Sequence, residues 1–341
     1  MDNRRAKRPT QGDVARLAGV SQATVSHVLN NSNAISLPAD TRRRVLDAIE
    51  RLGYVPDSSA LRLRTGKTFT IASVIPDISN PFYPQLERGI QDVAEEAGYD
   101  LIIYNTDGMA EKECKCLRAL QHGRVDGVIG VFFHVNARDL RSLIERNVAI
   151  VRLENRAQEL GDLPIDNLFV DNAAAARTAV KHLLERGHRR IGFIAGQTGP
   201  RDIRMRGYRE ALSEAGIAFD YNLIQVSGGF TEAGGYEGMR RLLVLSPRPT
   251  AVFAANDLVA MGALIALREA GLHVPRDMAV VGFDDIPAAK LVTPPLTTIS
   301  QFQERLGRRA VELLLERLSG AVTGPARSVE MPFELIVRES T

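Results

Sequence analysis

The feature that most restricts the fold is an alternation that starts at Phe69. "FTIASVIPD" is a continuous apolar run bounded by turn residues, as expected of a strand buried on both faces. "QLERGIQDVAEEAGY" has the apolar spacing of a helix and a Gly stop, and "DLIIYNT" is a strand again. The pattern continues with helix "KECKCLRALQHGRV", strand "DGVIGVF", a further helix and strand "AIVRLEN". The second half repeats it, from helix "DNAAAARTAVKHLLERGH" and strand "RIGFIAG" through strand "YNLIQVS" to helix "LVAMGALIALREAGL" and strand "AVVGFDD". Parallel strands need long crossovers, so this alternation means parallel sheets with helices on both faces. The phrases "RGIQDVAEEAGYDLII" and "RGYREALSEAGIAFDYNLI" read as one unit used twice. Two such α/β lobes enclose a cleft at the C-terminal ends of their strands, where α/β sheets hold ligands.

Composition removes several function classes. The chain is 45% hydrophobic and 25% charged, as in ordinary globular proteins. No apolar run approaches the ~18–20 residues of a membrane span. "MDNRRAKRPTQGD" has no apolar stretch behind it, so no secretory signal is expected and the location expected is cytoplasmic. The two cysteines, Cys114 and Cys116, fall on different faces of a helix, which suits two ordinary thiols better than a metal site or a disulfide. No nucleophile motif, P-loop or metal constellation appears, and "GFIAGQTG" lacks the glycine spacing of a dinucleotide site. Neither an enzyme nor a cofactor is expected.

Charge divides the chain differently. Residues 1–67 carry twelve Lys/Arg and six Asp/Glu, a balance of +6, which leaves the remainder of this +2 chain at −4. A basic head on a mildly acidic body suggests a polyanionic partner for the head. Three short helices are predicted there. Thr10 caps the first, with Asp13 in the capping-box position, and Gly19 ends it; Ser21 caps the second, to about Asn30; Ser36 caps the third, which buries Val45, Ile49 and Leu52 before Gly53. Two helices around a tight Gly turn form the helix-turn-helix pattern. Val25, Val28 and Leu29 make the second helix's apolar stripe, leaving Gln22, Ala23, Ser26 and His27 outward. Such short polar side chains can reach base edges, while Thr24 and Ser26 bond phosphates. A three-helix bundle with another task is the alternative. "VPDSSALRLRTGKT", residues 55–68, reads as a linker that orders only against a partner.

Taken in order, "DVARLAGVSQATVSHVLN", "TRRRVLDAIERLGYVP", "LRTGKT", "VIPDISNPFY", "LLERGHRRIGFIAG", "GYREAL", "PTAVFAANDLVAMGAL", "VVGFDD" and "PPLTTISQ" make the chain resemble the lactose/galactose-repressor family of bacterial transcription regulators. The resemblance runs from about Gly12 to Thr341. It implies a helix-turn-helix head over residues 1–55, a hinge over 56–68 and a periplasmic-binding-protein-like effector and dimerisation body over 69–341. In such bodies the chain crosses between lobes three times, which places 69–163 and 294–323 in one lobe and 164–293 and 324–341 in the other. The implied partners are operator DNA, a second copy of the chain and a small-molecule effector such as a sugar or nucleobase. The implied DNA-facing residues are Thr10, Ser21, Gln22, Ala23, Thr24, Ser26, His27 and Asn30, with Ala60 and Leu63 in the hinge, Leu63 as a minor-groove wedge. The implied effector contacts are Phe82, Tyr83, Glu154, Arg204, Phe230, Asn256 and Asp284. Bland readings stand beside these: Asn256 and Asp257 cap the following helix, Asp257 foremost, and Arg204 pairs with Asp202 in solvent. An exported or cytosolic sugar-binding protein without a DNA role is the alternative function. With no heptad extension after "VREST", a dimer is expected.

Overall fold

The structure, a computed structural model, describes residues 9–29, 37–55, 66–154, 163–197, 199–226 and 228–341. The chain divides into two compact units, Met1–Thr68 and Phe69–Thr341.

The first unit holds helices α1 (Gln11–Ala18), α2 (Gln22–Leu29) and α3 (Ala39–Leu52). The capping box forms: Asp13 N–H donates to Thr10 Oγ1 at 3.3 Å, and Thr10 N–H donates to the Asp13 carboxylate at 2.9 Å. Gly19, at φ 65°, turns the chain in the left-handed region and accommodates the tight corner before α2. Thr24 N–H donates to Ser21 Oγ at 3.1 Å and so caps α2. The third helix departs from expectation. It starts at Ala39, behind Pro38, with no side-chain cap, while Ser36 lies outside the described residues. Proline disfavours a helical conformation in the residue before it, which moves the start past Pro38. The core of this unit is Val14, Ala15, Ala18, Val25, Val28, Val45 and Ala48, with Leu29, Ile49 and Leu52 half-buried around it. No side chain in that buried set exceeds valine in size, so this fold stands on little apolar surface.

The second unit carries two parallel sheets. The first has the order β11-β5-β4-β3-β1-β2, from β1 (Thr70–Ile75), β2 (Asp100–Asn105), β3 (Gly127–Gly130), β4 (Ala149–Arg152), β5 (Ile165–Val170) and β11 (Ser328–Met331). Its faces are covered by α4 (Phe82–Glu96) with α11 (Gln303–Leu318), and by α5 (Ala110–Leu120) with α6 (Arg141–Ile144). The second has the order β7-β6-β8-β9, from β6 (Ile191–Ala195), β7 (Ile224–Val226), β8 (Ala251–Ala254) and β9 (Ala279–Val281). The bridges Val281↔Thr297 and Asp284↔Ser300 join it to β10 (Thr298–Ser300), which pairs antiparallel with β12 (Glu334–Ile336). Around it pack α7 (Asn172–Glu185), α8 (Arg201–Glu214), α9 (Glu232–Leu243) and α10 (Asp257–Glu269). Among the described residues no helix is long and apolar enough to cross a membrane.

Strand pairing moves the lobe boundaries from their expected places. Residues 165–170 pair beside β4 and 328–331 beside β5, so both belong to the first lobe. Residues 298–300 pair with 334–336 in the second. The crossings therefore fall near 171, 301 and 332, each about eight residues later than 163, 293 and 323. Backbone hydrogen bonding decides this, and an apolar run does not reveal which sheet it joins. Within the first lobe α4 and α11 touch through glycines. A Cβ on Gly89 would stand 2.1 Å from the Glu304 carbonyl oxygen, and one on Gly307 would stand 2.2 Å from that of Leu86.

Candidate functional site

In the head, α2 presents Gln22 and Ala23 to solvent, with Thr24, Ser26 and His27 half-buried beside them. Val25 and Val28 point into the core, because positions three apart share a helix face. The hydroxyls of Thr10, Ser21 and Thr24 are already engaged: Thr10 with Asp13 at 2.6 Å, and Ser21 with Thr24 at 2.9 Å. Asn30, Ala60 and Leu63 lie outside the described residues.

In the body, a cavity of about 190 Å³ opens between the lobes. All seven expected contacts line it: Phe82, Tyr83, Glu154, Arg204, Phe230, Asn256 and Asp284. The second lobe supplies the polar wall. Arg204 rises from α8 and is 5% exposed. Its Nε donates to Asn172 Oδ1 at 2.8 Å, its Nη1 donates to the Ala255 carbonyl, and its guanidinium lies 3.6 Å over the Phe283 ring. Nη2 stops 3.8 Å from Asp284 Oδ1, an ion pair too long for a good hydrogen bond. Arg204 thus has no pairing with Asp202, whose carboxylate is taken by Arg201 at 2.8 Å.

Asp284 follows β9 in a left-handed conformation, φ 110°, as does Asp285 at 55°. Gln301 Nε2 donates to its carboxylate at 2.7 Å, and Gln303 Nε2 donates to its carbonyl. Burial pushes the Asp284 carboxyl up to about 6, against the pull of Arg204 and the Gln301 hydrogen bond. Burial also lowers the Arg204 guanidinium, with Asp284 holding it up. Of the two caps expected for α10, Asn256 serves and Asp257 does not. Asn256 is the cap, accepting from Val259 N–H at 2.9 Å and donating to the Phe230 carbonyl at 3.2 Å. Asp257 instead turns inward, accepting from Thr298 Oγ1 at 2.5 Å and Ile286 N–H at 2.8 Å. Burial, and then the Asp284 charge, push the Asp257 carboxyl well above the usual range.

The first lobe supplies an aromatic wall. Phe82 and Tyr83 open α4 edge to face, 5.1 Å between centroids. Burial and the nearby Asp284 charge raise the Tyr83 hydroxyl, so it stays protonated and can donate. Phe132 and Phe133 come from the loop after β3. Buried Glu113 holds that loop by accepting three backbone N–H groups, from Phe133, His134 and Val135, at 2.8, 3.0 and 2.9 Å. Glu154 follows β4 and pairs with Arg152. Phe230 rests against Gly196, where a Cβ would stand 2.7 Å from the ring.

Sequence reasoning missed Phe132, Phe133, Phe169, Asn172 and Gln301, which share this lining. Most sit just past the end of a parallel strand, and that position is itself the signal for a ligand site in α/β folds. Among the described residues no group of His, Cys, Asp or Glu could hold a metal ion. Cys114 is exposed and Cys116 buried, and both are free.

A helix-turn-helix head on a two-lobed body with a polar cavity defines a ligand-responsive type of transcription regulator. Comparison with known proteins agrees. Residues 10–57 match the bacterial regulatory proteins of the lacI family, and residues 180–341 match a periplasmic binding protein-like domain. The HTH-type transcriptional repressor PurR of Photobacterium profundum is 35% identical over 332 residues, covering 96% of this chain and 97% of the relative. A solved complex of the transcriptional regulator CelR with cellobiose is 34% identical with TM-score 0.72, over 98% of this chain and 100% of that one. The lac repressor dimer bound to operator and the anti-inducer ONPF is 27% identical with TM-score 0.84, over 98% of this chain and 99% of that one. The chain belongs to the lacI family of bacterial transcription regulators. It is a DNA-binding regulator and not an enzyme.

Proposed function

We propose that the protein is a cytoplasmic repressor that binds a pseudo-palindromic operator as a homodimer and is controlled by a small polyol, of the sugar class, in the inter-lobe cavity. The observation that carries this reading is the convergence of Arg204, Asn256 and Asp284 with the aromatic side chains Phe82, Tyr83 and Phe230 on one enclosed space. Charged and amide groups grip hydroxyls in pairs, and ring faces cover the apolar side of a sugar. A solved relative holding cellobiose supports the same class.

For the head, Gln22, Ala23 and His27 read bases in the major groove, and Thr10, Ser21, Thr24, Ser26 and Asn30 meet the backbone. Ala60 and Leu63 enter the minor groove at the centre, Leu63 as the wedge. Twofold symmetry of a dimer requires the near-palindrome. The coupling between ligand and DNA is an energy difference between two lobe arrangements, ~1–3 kcal/mol in typical cases. A mobility-shift titration on the promoter of the protein's own gene, with and without D-ribose, D-glucose and cellobiose, tests it. The expected result is a salt-sensitive complex whose midpoint moves with at least one sugar. A protein that retards no promoter fragment under any of these conditions overturns the reading.

A further inference from the structure

Among the described residues, Arg152 heads the largest side chains wholly shut off from solvent. It ends β4, where register sets it between Gly130 of β3 and Asn167 of β5. It shares a sheet face with Ile150, in an apolar cluster that includes Val128, Val135, Leu140 and Ile165. A charge in such surroundings is costly unless it has a partner. Arginines that act as structural ties spread their fork over several groups, as Arg317 and Arg327 do around Asp166 and neighbouring carbonyls. Arg152 does not. Among the described residues its Nε and Nη1 have no hydrogen-bond partner, and neither amide atom of the adjacent Asn167 has one. Its Nη2 reaches the Val135 carbonyl only at 3.4 Å. Its ion pair is with Glu154, and Glu154 lines the cavity.

We propose that Arg152 is a positioning residue for ligand recognition: it keeps Glu154 charged and oriented as a hydrogen-bond acceptor on the first-lobe wall. This rests on the reading of the cavity as the effector site. The second-lobe wall carries the same device in Arg204 and Asp284. The cavity then offers a carboxylate from each lobe, each balanced by its own arginine. A neutral ligand with hydroxyls at two ends satisfies both. An anionic sugar would meet Glu154 on one side and, on the other, an Arg204 already engaged by Asn172, Ala255 and Asp284. The other described ionisable groups around the pair are Glu113, which grips the Val135 N–H, and Tyr83, Arg204 and Asp284 across the cavity.

The test is calorimetry on the full-length protein at pH 5.5 to 8.5. D-ribose, D-glucose and cellobiose serve as neutral probes, and gluconate and glucose 6-phosphate as anionic ones. Wild type is expected to bind at least one neutral probe, and the anionic probes about 100-fold more weakly. R152M and E154Q should each lose about tenfold or more for the neutral probe. The double variant R152M/E154Q should lose no more than E154Q alone, whereas independent structural losses would multiply. R152K should recover part of the affinity. Binding by R152M should weaken as pH falls, because a half-buried carboxylate without its arginine takes up a proton more readily, while binding by E154Q should lack that additional loss. If R152M shows no thermal transition, comparing E154Q with the double variant, which leaves no unpaired buried charge, decides the matter. R152M binding like wild type, or losses that multiply, overturns the proposal alone, as does tighter binding of an anionic probe. Wild-type binding to no probe overturns the effector reading and the proposal with it.

Discussion

The reading helix and the cavity handle polar groups in opposite ways. On α2, Gln22 and Ala23 stand in solvent, and the basic balance of the head does the attracting. In the body, Arg204, Asn256 and Asp284 are at most 5% exposed, and each is engaged before any ligand arrives. The difference follows from the partner. DNA brings dense charge to the surface, so the head needs only reach and register. The small neutral ligand proposed for the cavity brings little, so the body must hold its hydrogen-bonding groups in place beforehand, where burial strengthens them.

The largest loss is expected of Arg204→Ala. It leaves Asp284 buried without its cation and Asn172 without its donor, so sugar affinity should fall by about 100-fold or more. DNA binding without ligand should be unchanged; calorimetry and mobility shift measure the two separately. Gln22→Ala is the converse. It should cost about tenfold in operator affinity, within the range for a base-reading side chain, and nothing in sugar affinity. Equal loss on operator and on random DNA would mean that Gln22 does not read sequence.

A pH titration separates the two regions next. The Asp284 carboxyl sits at about 6, above its ordinary value, so it is an acceptor above that pH and progressively neutral below it. Sugar affinity should be full near pH 7.5 and fall on acidification through 6, by at most about tenfold per unit. Asp284→Asn should remove that slope. The smallest effect belongs to the aromatic wall. Phe82→Ala should weaken sugar binding by about threefold to tenfold, the scale of one ring contact.

Much of this was legible in the sequence. The α/β alternation, the capping box at Thr10 and Asp13, and the apolar stripe of α2 are local patterns, and local hydrogen bonding or spacing produces them. The convergence of Phe82, Glu154, Arg204 and Asp284 came from an ordered set of motifs and not from spacing, since these residues span more than two hundred positions. What stayed hidden is non-local. Which sheet takes residues 165–170 is decided by strand pairing, and whether Asn256 or Asp257 caps α10 is decided by what Thr298 and Ile286 demand. Gln301 was inside a recognised motif, but its purpose shows only once β10 lies beside Asp284.

Asp284, Asp285 and Phe302 all hold left-handed backbone conformations. Asp284 and Asp285 follow β9 and meet β10 through the Asp284–Ser300 bridge, Phe302 joins β10 to α11, and none is glycine. A side chain in that backbone region sits above its conformational minimum and stays there only while its neighbours insist. The joint is therefore kept cocked by Gln301 and Gln303, and a molecule that draws the Asp284 carboxylate away from Gln301 loosens the latch beside one of the three strands of chain that wire the two halves of the receptor together.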